Sequence, residues 1–152
     1  MNFLPQDPDF RSRVEHSFND QAFMRFIGAR LAVAGAGFCE IHLPFKPDLT
    51  QQDGFFHAGI IATLADNAAG FAAHSLMPAG ANVLSVEFKL NLMSPGRGEM
   101  LVGRGQVIKS GRTLTVCRSD VFNRLAGEEQ LCATALLTMM ALHDSKRSAL
   151  EG

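Results

Sequence analysis

Two residues in the stretch HAGIIATLADNAAGFAAHSL, His57 to Leu76, could do chemistry in this 152-residue sequence: His57 and Asp66. The stretch is Ala-rich, free of proline and almost free of charge, and an acid in such surroundings is costly unless it is neutral, paired or put to use. At helical spacing Thr63, Asp66, Asn67, Gly70 and His74 share one face. Gly70 then opens a gap one turn beyond Asp66, where a ligand or another backbone could approach. His57, Ala58 and Gly59 stand at the helix start, where the first N–H groups lack internal partners and the dipole is positive. That end can polarise a carbonyl or hold a developing oxyanion. The nine residues from His57 to Asp66 span roughly 13 Å on a helix, too far to touch one atom. If the two cooperate, they must do so between chains.

Each residue also has a simpler role. Asp66 could be a structural acid or an ion-pair partner, and His57 a helix cap or a core histidine with one hydrogen bond. Asn67 could tie down a loop, and His74 is expected near a surface. Gln51 and Gln52 carry almost no signal alone, and Arg97, Lys109 and Arg112 read as solvated turn charges. The case for function rests on the combination.

The elements that must position these residues follow from periodicity. The long stretch predicts a helix buried nearly all round and closed by Pro78-Ala79-Gly80. Before it, Phe10, Val14 and Phe18 are four apart, and Phe23, Phe26 and Ile27 continue the pattern, so residues 1–28 predict one or two short helices packed by phenylalanines. Ala29 to Leu43 reads as a hairpin turning at Gly35-Ala36-Gly37, with Pro44 and Pro47 ending its second strand. After Pro78 the period becomes two. Leu84, Val86, Phe88, Leu90 and Leu92 alternate with polar residues and predict a half-buried strand. A turn at Ser94-Pro95-Gly96 leads to a strand over Met100 to Lys109. Ser110-Gly111 is a tight turn into Arg112 to Phe122, Asn123 to Gly127 turns again, and Leu131 to Leu142 is the last strand.

Four strands in a row joined by short turns predict antiparallel pairing. An α+β fold follows, in which one antiparallel sheet curls around a single long central helix. The expected limits are an N-terminal helical segment at 1–28, the main domain at 29–142 and a polar, frayed tail at 143–152. Apolar surface is left over on the helix and on the third strand of the later set, which predicts a second copy of the chain as partner.

Composition narrows the function classes. The length suits one domain with a real core. A net charge of −1 gives no reason to expect nucleic-acid or membrane-surface binding. Cys39, Cys117 and Cys132 lack metal-ligand spacing and predict free buried thiols in a reducing compartment. The N-terminus lacks a signal-peptide pattern and the helix is too polar and too Ala/Gly-rich to face lipid, so the expected location is the cytoplasm.

QQDGFFHAGIIATLADNAAG, followed by LSVEFKLNLMSPG and KSGRTLTV, resembles the hotdog-fold acyl-CoA thioesterases of the phenylacetate-pathway type, over roughly Leu43 to Thr138. The resemblance implies a hotdog fold and hydrolysis of an acyl-CoA thioester. It puts Asp66 on the catalytic acid, as nucleophile or as general base for water, and Gln51 on the amide that positions water or substrate. His57 falls on the histidine that organises the loop, Ala58 on a glycine whose N–H polarises the carbonyl, and Ser85 on a Ser/Thr contributed to the facing site. Gly59, Asn67 and Gly70 fall among the substrate contacts. The turns bearing Arg97 and Lys109, Ser110, Gly111, Arg112 and Thr113 resemble segments that hold coenzyme A. Ala58 departs from the motif glycine but keeps the N–H. Asp66 is one methylene shorter than the Glu of some relatives, which favours activating water, and Gly70 replaces a hydroxyl residue and leaves room for a bulkier acyl group. No metal or cofactor beyond the substrate's coenzyme A is implied, and a homodimer or a dimer of dimers with sites at the interface is expected. A hotdog dehydratase or hydratase using His57 as base, and a non-catalytic acyl-CoA-binding module, are the competing readings.

Overall fold

The computed structural model describes residues 3–143; the predicted polar tail beyond His143 lies outside the described residues. Helix α1 (Phe10–Asp20) buries Phe10, Val14 and Phe18 on one face, and α2 (Ala22–Ile27) follows it and buries Met24 and Ile27. Gly28, at φ 84°, closes α2 in the left-handed conformation that glycine adopts without a Cβ clash. Two strands come next, β1 (Arg30–Gly35) and β2 (Phe38–Pro44), then a 3-10 turn at Pro47–Leu49 and the long helix α3 (Ala58–His74). Four strands complete the chain: β3 (Asn82–Leu92), β4 (Met100–Ser110), β5 (Leu114–Leu125) and β6 (Glu128–Leu142).

All six strands form one antiparallel sheet in the order β1-β2-β4-β5-β6-β3, with α3 against its inner face. The expected sheet around one helix is present, with one change in topology. β3 does not turn back beside β4; it pairs with β6 at the far edge. The segment Met93 to Glu99 is therefore a crossover rather than a hairpin turn. The Met93 and Ser94 N–H groups donate to the Cys132 carbonyl, and the Glu99 N–H donates to that of Arg124. Asn123, expected in a turn, is instead buried inside β5. Its amide donates to the Pro95 carbonyl (2.9 Å) and its Oδ1 accepts from the Arg97 N–H (2.8 Å), so it fixes the crossover against the sheet.

β3 departs from expectation along its length too. Leu84 to Leu92 alternates cleanly in sequence, but the pairing slips between Ser85 and Glu87, leaving Val86 as a bulge. Ser85 is opposite buried Met139, and Phe88 is opposite buried Leu137. Both therefore face the helix, whereas Leu84 pairs with Met140 on the outer face. The bulge puts an odd-numbered polar residue and the even-numbered apolar residues after it on the same side.

α3 is two residues shorter at its end than the apolar run, and Ser75 to Met77 turn off the helix. His74 is 2% exposed rather than near a surface; its Nε2–H donates to the Ala81 carbonyl (3.0 Å), and burial lowers its pKa. The helix is sealed mainly in its second half, where Ala68 through His74 are all buried. The N-terminal helices differ from expectation as well. Phe18 packs edge-on against Phe71 (5.5 Å), but Phe23 and Phe26 face outward.

The helix lies unusually near the sheet because both partners carry small residues at the contact. A Cβ built on Gly105 of β4 would stand 2.1 Å from the Ala68 carbonyl oxygen, and one on Gly103 would stand 2.8 Å from Leu64 Cγ. Ala65, Ala68, Ala69 and Ala72 complete the contact. Gly105→Ala must push the backbone of α3 off the sheet, and a loss of at least about 3 kcal/mol is expected by urea titration. Gly127→Ala meets open space but sits at φ 85°, so it should cost only the smaller penalty of a strained turn, about 1 kcal/mol.

Candidate functional site

Asp66 stands midway along α3, on the face turned toward β3, and is partly buried. Ser85 Oγ, turned inward by the bulge, donates to Asp66 Oδ1 at 2.6 Å. Removal from water raises the Asp66 pKa above its ordinary 3.8, and the Ser85 bond pulls in the opposite direction as the smaller effect. The carboxylate thus has one hydrogen bond, no cation among its described contacts, and a raised proton affinity. Within the chain Ser85 meets the acid of its own copy.

The helix start is arranged by His57. Its backbone is extended (φ −61°, ψ 139°) and its Nδ1 accepts from the Gly59 N–H at 2.9 Å. His57 is therefore the N-cap. The His57 carbonyl takes the N–H groups of Ile60 and Ile61. Among the described residues nothing accepts the Ala58 N–H, which remains as the free donor at the positive end of the dipole. His57, Ala58 and Gly59 are all exposed.

Ala58 lines a cleft of about 510 Å³ with Gln51, Phe55, Ile61, the last β3 residue Leu92 and the crossover residues Met93 to Gly96. Gln51 shapes the loop that forms one wall. Its Oε1 accepts from the Asp53 N–H, its Nε2 donates to Asp53 Oδ2 (3.3 Å), and its carbonyl accepts from Gly54 (3.0 Å). Gln51 and Ala58 are thus brought together, while Asp66 lies further along the helix on another face. The Asn67 amide donates to the Thr63 carbonyl one turn back (3.0 Å), which orients the side chain along the helix. Gly70 behaves as its type suggests, with nothing within 4 Å of an added Cβ.

The two basic turns do not meet within the chain. Arg97 precedes the first residue of β4, and Lys109, Ser110, Gly111, Arg112 and Thr113 lie at its other end. Eleven residues of strand separate them by roughly 35 Å. All six are exposed. Within a single copy the topology therefore puts them at opposite ends of the sheet.

The thiols take no part. Burial pushes Cys39 and Cys117 up to about 12 and Cys132 up to about 11, so all stay protonated. No group of three His, Cys, Asp or Glu side chains among the described residues could hold a metal ion, and no described helix is long and apolar enough to cross a membrane. Sequence reading missed Val86. Its apolar type continues the alternation, so nothing in the sequence signals the bulge that aims Ser85.

Comparison with known proteins places the fold. The Thioesterase superfamily model matches residues 53–129. A thioesterase family protein from Silicibacter pomeroyi is similar in structure, with a TM-score of 0.86 and 44% identity over 88% of this chain and 98% of that one. Acyl-coenzyme A thioesterase 13 of Homo sapiens is 33% identical over 98 residues, 64% of this chain and 68% of that protein. The Escherichia coli PaaI protein of the phenylacetic acid degradation operon shares the fold at a TM-score of 0.80 and 16% identity, covering 88% of this chain and 94% of its own.

The raised Asp66 pKa has a consequence for stability. The folded chain holds the Asp66 proton more tightly than the unfolded chain does. Stability contributed here is therefore present at low pH and lost as pH rises from the unfolded value through the raised folded value. Asp66→Asn, which can still accept from Ser85, should melt higher than wild type at neutral pH, and the gap should close toward about pH 4. A gap that stays constant with pH in calorimetry would show that the carboxyl is not desolvated.

Proposed function

The chain belongs to the thioesterase superfamily and is a thioester hydrolase, and from that premise we propose that it cleaves acyl-CoA to the free acid and coenzyme A with Asp66 as general base. The observation that carries this reading is the Asp66–Ser85 pair. It is a carboxylate of raised proton affinity, without a cation, lying within the residues that match the family and on the less sealed half of the helix. A base must be ionised at working pH yet keen to take a proton, and modest desolvation supplies both.

In the proposed reaction a water donates a proton to Asp66 as its oxygen attacks the thioester carbon. Negative charge gathers on the former carbonyl oxygen, where the free Ala58 N–H is the available donor. Collapse breaks the C–S bond, and the thiolate takes the proton back from Asp66. Gln51, beside Ala58, orients the water or the substrate. The steps need a base, a donor and water, so no metal or cofactor is invoked.

Asp66 and Ala58 belong to different faces of one helix, which supports a site shared by two copies. β3 supplies the means. It is an edge strand whose outer side pairs with no other strand of the sheet, and its Leu84, Val86, Phe88 and Leu92 are all about half exposed, so a second β3 can pair along it. Antiparallel pairing of two β3 strands brings the start of one beside the end of the other. The Thr113 carbonyl accepts from Ala141, near where Leu142 pairs with the first residue of β3, whereas Arg97 follows its last. Such a dimer sets the Lys109 to Thr113 turn of one copy at the same end as Arg97 of the other, and coenzyme A phosphates would meet both.

The dehydratase reading is weaker on one specific ground. A backbone N–H can only donate, so neutral His57 has Nδ1 engaged and its proton on Nε2, with no lone pair to abstract another.

Thiol release from a set of acyl-CoA esters tests the reading. Asp66→Asn should lower kcat by about 10²–10⁴-fold with the fold intact. Ala58→Pro removes the N–H at a position where helices accept proline and where His57 already has the extended backbone that must precede it, and should cost about 10²–10³-fold. Mixing the two inactive chains should restore activity, because one site of each mixed dimer then has both groups. No recovery in co-refolded mixtures would mean that the groups do not meet across chains. Ser85→Ala removes the bond that lowers the Asp66 pKa, so the acid limb of the pH–rate profile should move to higher pH.

A further inference from the structure

One buried polar side chain is tied to the cleft at Ala58 without reaching it. Asn123 is 4% exposed on the inward side of β5, opposite Leu101 of β4, and does not line that cleft. Its two hydrogen bonds both go to the crossover, where they bracket Gly96. The amide donates to the Pro95 carbonyl before it, and Oδ1 accepts from the Arg97 N–H after it. The carboxamide thus pairs with the crossover as a neighbouring strand would. Backbone bonds hold the two ends of the segment, Met93 and Ser94 to Cys132 and Glu99 to Arg124. Asn123 holds its middle.

Resting on the hydrolase reading, we infer that Asn123 is a positioning residue for thioester cleavage, holding the crossover so that the free Ala58 N–H meets the reacting carbonyl.

The other side of Gly96 carries the link onward. Its carbonyl accepts from the Phe56 N–H at 2.8 Å, and the two residues form an antiparallel bridge. The approach is so close that a Cβ on Gly96 would stand 2.9 Å from Phe56 Cβ and 2.9 Å from Ile61 Cδ1. Phe56 is 2% exposed and packs edge-on against Phe45 (5.3 Å). Beside it the His57 N–H donates to the Leu49 carbonyl (2.9 Å). The Ala58 N–H comes next, so its direction is set two residues from the Gly96 contact. Ile61 lies in the first turn of the same helix. The crossover therefore touches the chain both before and after the donor.

The residue type matters, because the tie needs a donor and an acceptor in one plane. An aspartate keeps the acceptor for Arg97 but turns an oxygen toward the Pro95 carbonyl, where two acceptors repel. Pro95 should then draw away from β5 and take Gly96 and Phe56 with it. A misplacement of about 1 Å in a reacting geometry costs up to roughly 10²-fold in rate.

The test is a double-mutant cycle on thiol release by the full-length chain. The substrate is whichever of acetyl-, hexanoyl- and phenylacetyl-CoA the wild-type chain cleaves fastest. Asn123→Asp should lower kcat by about 10–100-fold and change KM by less than about threefold, because the lost contact belongs to the transition state. In a chain already carrying Ala58→Pro, adding Asn123→Asp should cost less than about a further twofold, since the donor it positions is gone. Circular dichroism checks each variant. If Asn123→Asp does not fold, Asn123→Ser, which buries no charge and is too short to reach both groups, carries the same cycle. An unchanged kcat, a loss confined to KM, or losses that multiply in the double variant would each overturn the inference while leaving hydrolysis standing. Ala58→Pro cleaving at the wild-type rate, or no thiol release from any of the three esters by the wild-type chain, would instead overturn the reading on which it rests.

Discussion

The nearness of α3 to the sheet sets everything else. Gly103 and Gly105 let the β4 backbone approach the helix backbone, and the alanines of α3 accept that approach from the other side. A larger residue at any of these positions would lift the helix and carry Asp66 with it. The close contact also buries the second half of α3 on every side and leaves its first half partly open. The division between sealed and open helix falls at Asp66, which is why that carboxyl is only partly desolvated.

A second constraint acts on the partner of the acid. β3 is at the sheet edge, where a bulge is easily accommodated, and the one-residue slip at Val86 decides which side chains look inward. Without it, Ser85 would face outward whenever Phe88 and Leu90 face the helix. With it, the hydroxyl reaches Asp66 and the apolar residues still cover the helix. The bulge thus lets one strand serve the Asp66 carboxyl and a hydrophobic contact together.

The helix start follows different physics. His57 gives its own N–H to the Leu49 carbonyl, accepts the Gly59 N–H on its ring nitrogen and the Ile60 N–H on its carbonyl, so three of the four orphan donors at the start of α3 are satisfied and the Ala58 N–H is left. Replacing the motif glycine by alanine changes nothing in that count. The histidine is a cap by geometry and an organiser by consequence, since it selects which donor remains free.

The sequence by itself determined the helix, the strands and their antiparallel sense, because each is a matter of local period and of residues that break it. It also determined that Asp66 is an acid in apolar surroundings and that His57 begins the helix, since both are properties of neighbours in the chain. Only the tertiary structure decided that β3 crosses to the far edge, that Asn123 is a buried tie rather than a turn residue, and that the basic turns lie at opposite ends of β4. It likewise decided that Ser85 faces its own chain's acid, that His74 is buried, and that Phe23 and Phe26 are not. The physical reason is common to these. Strand order, bulges and the burial of a helix face depend on which distant surface arrives to cover them, and periodicity carries no information about that surface.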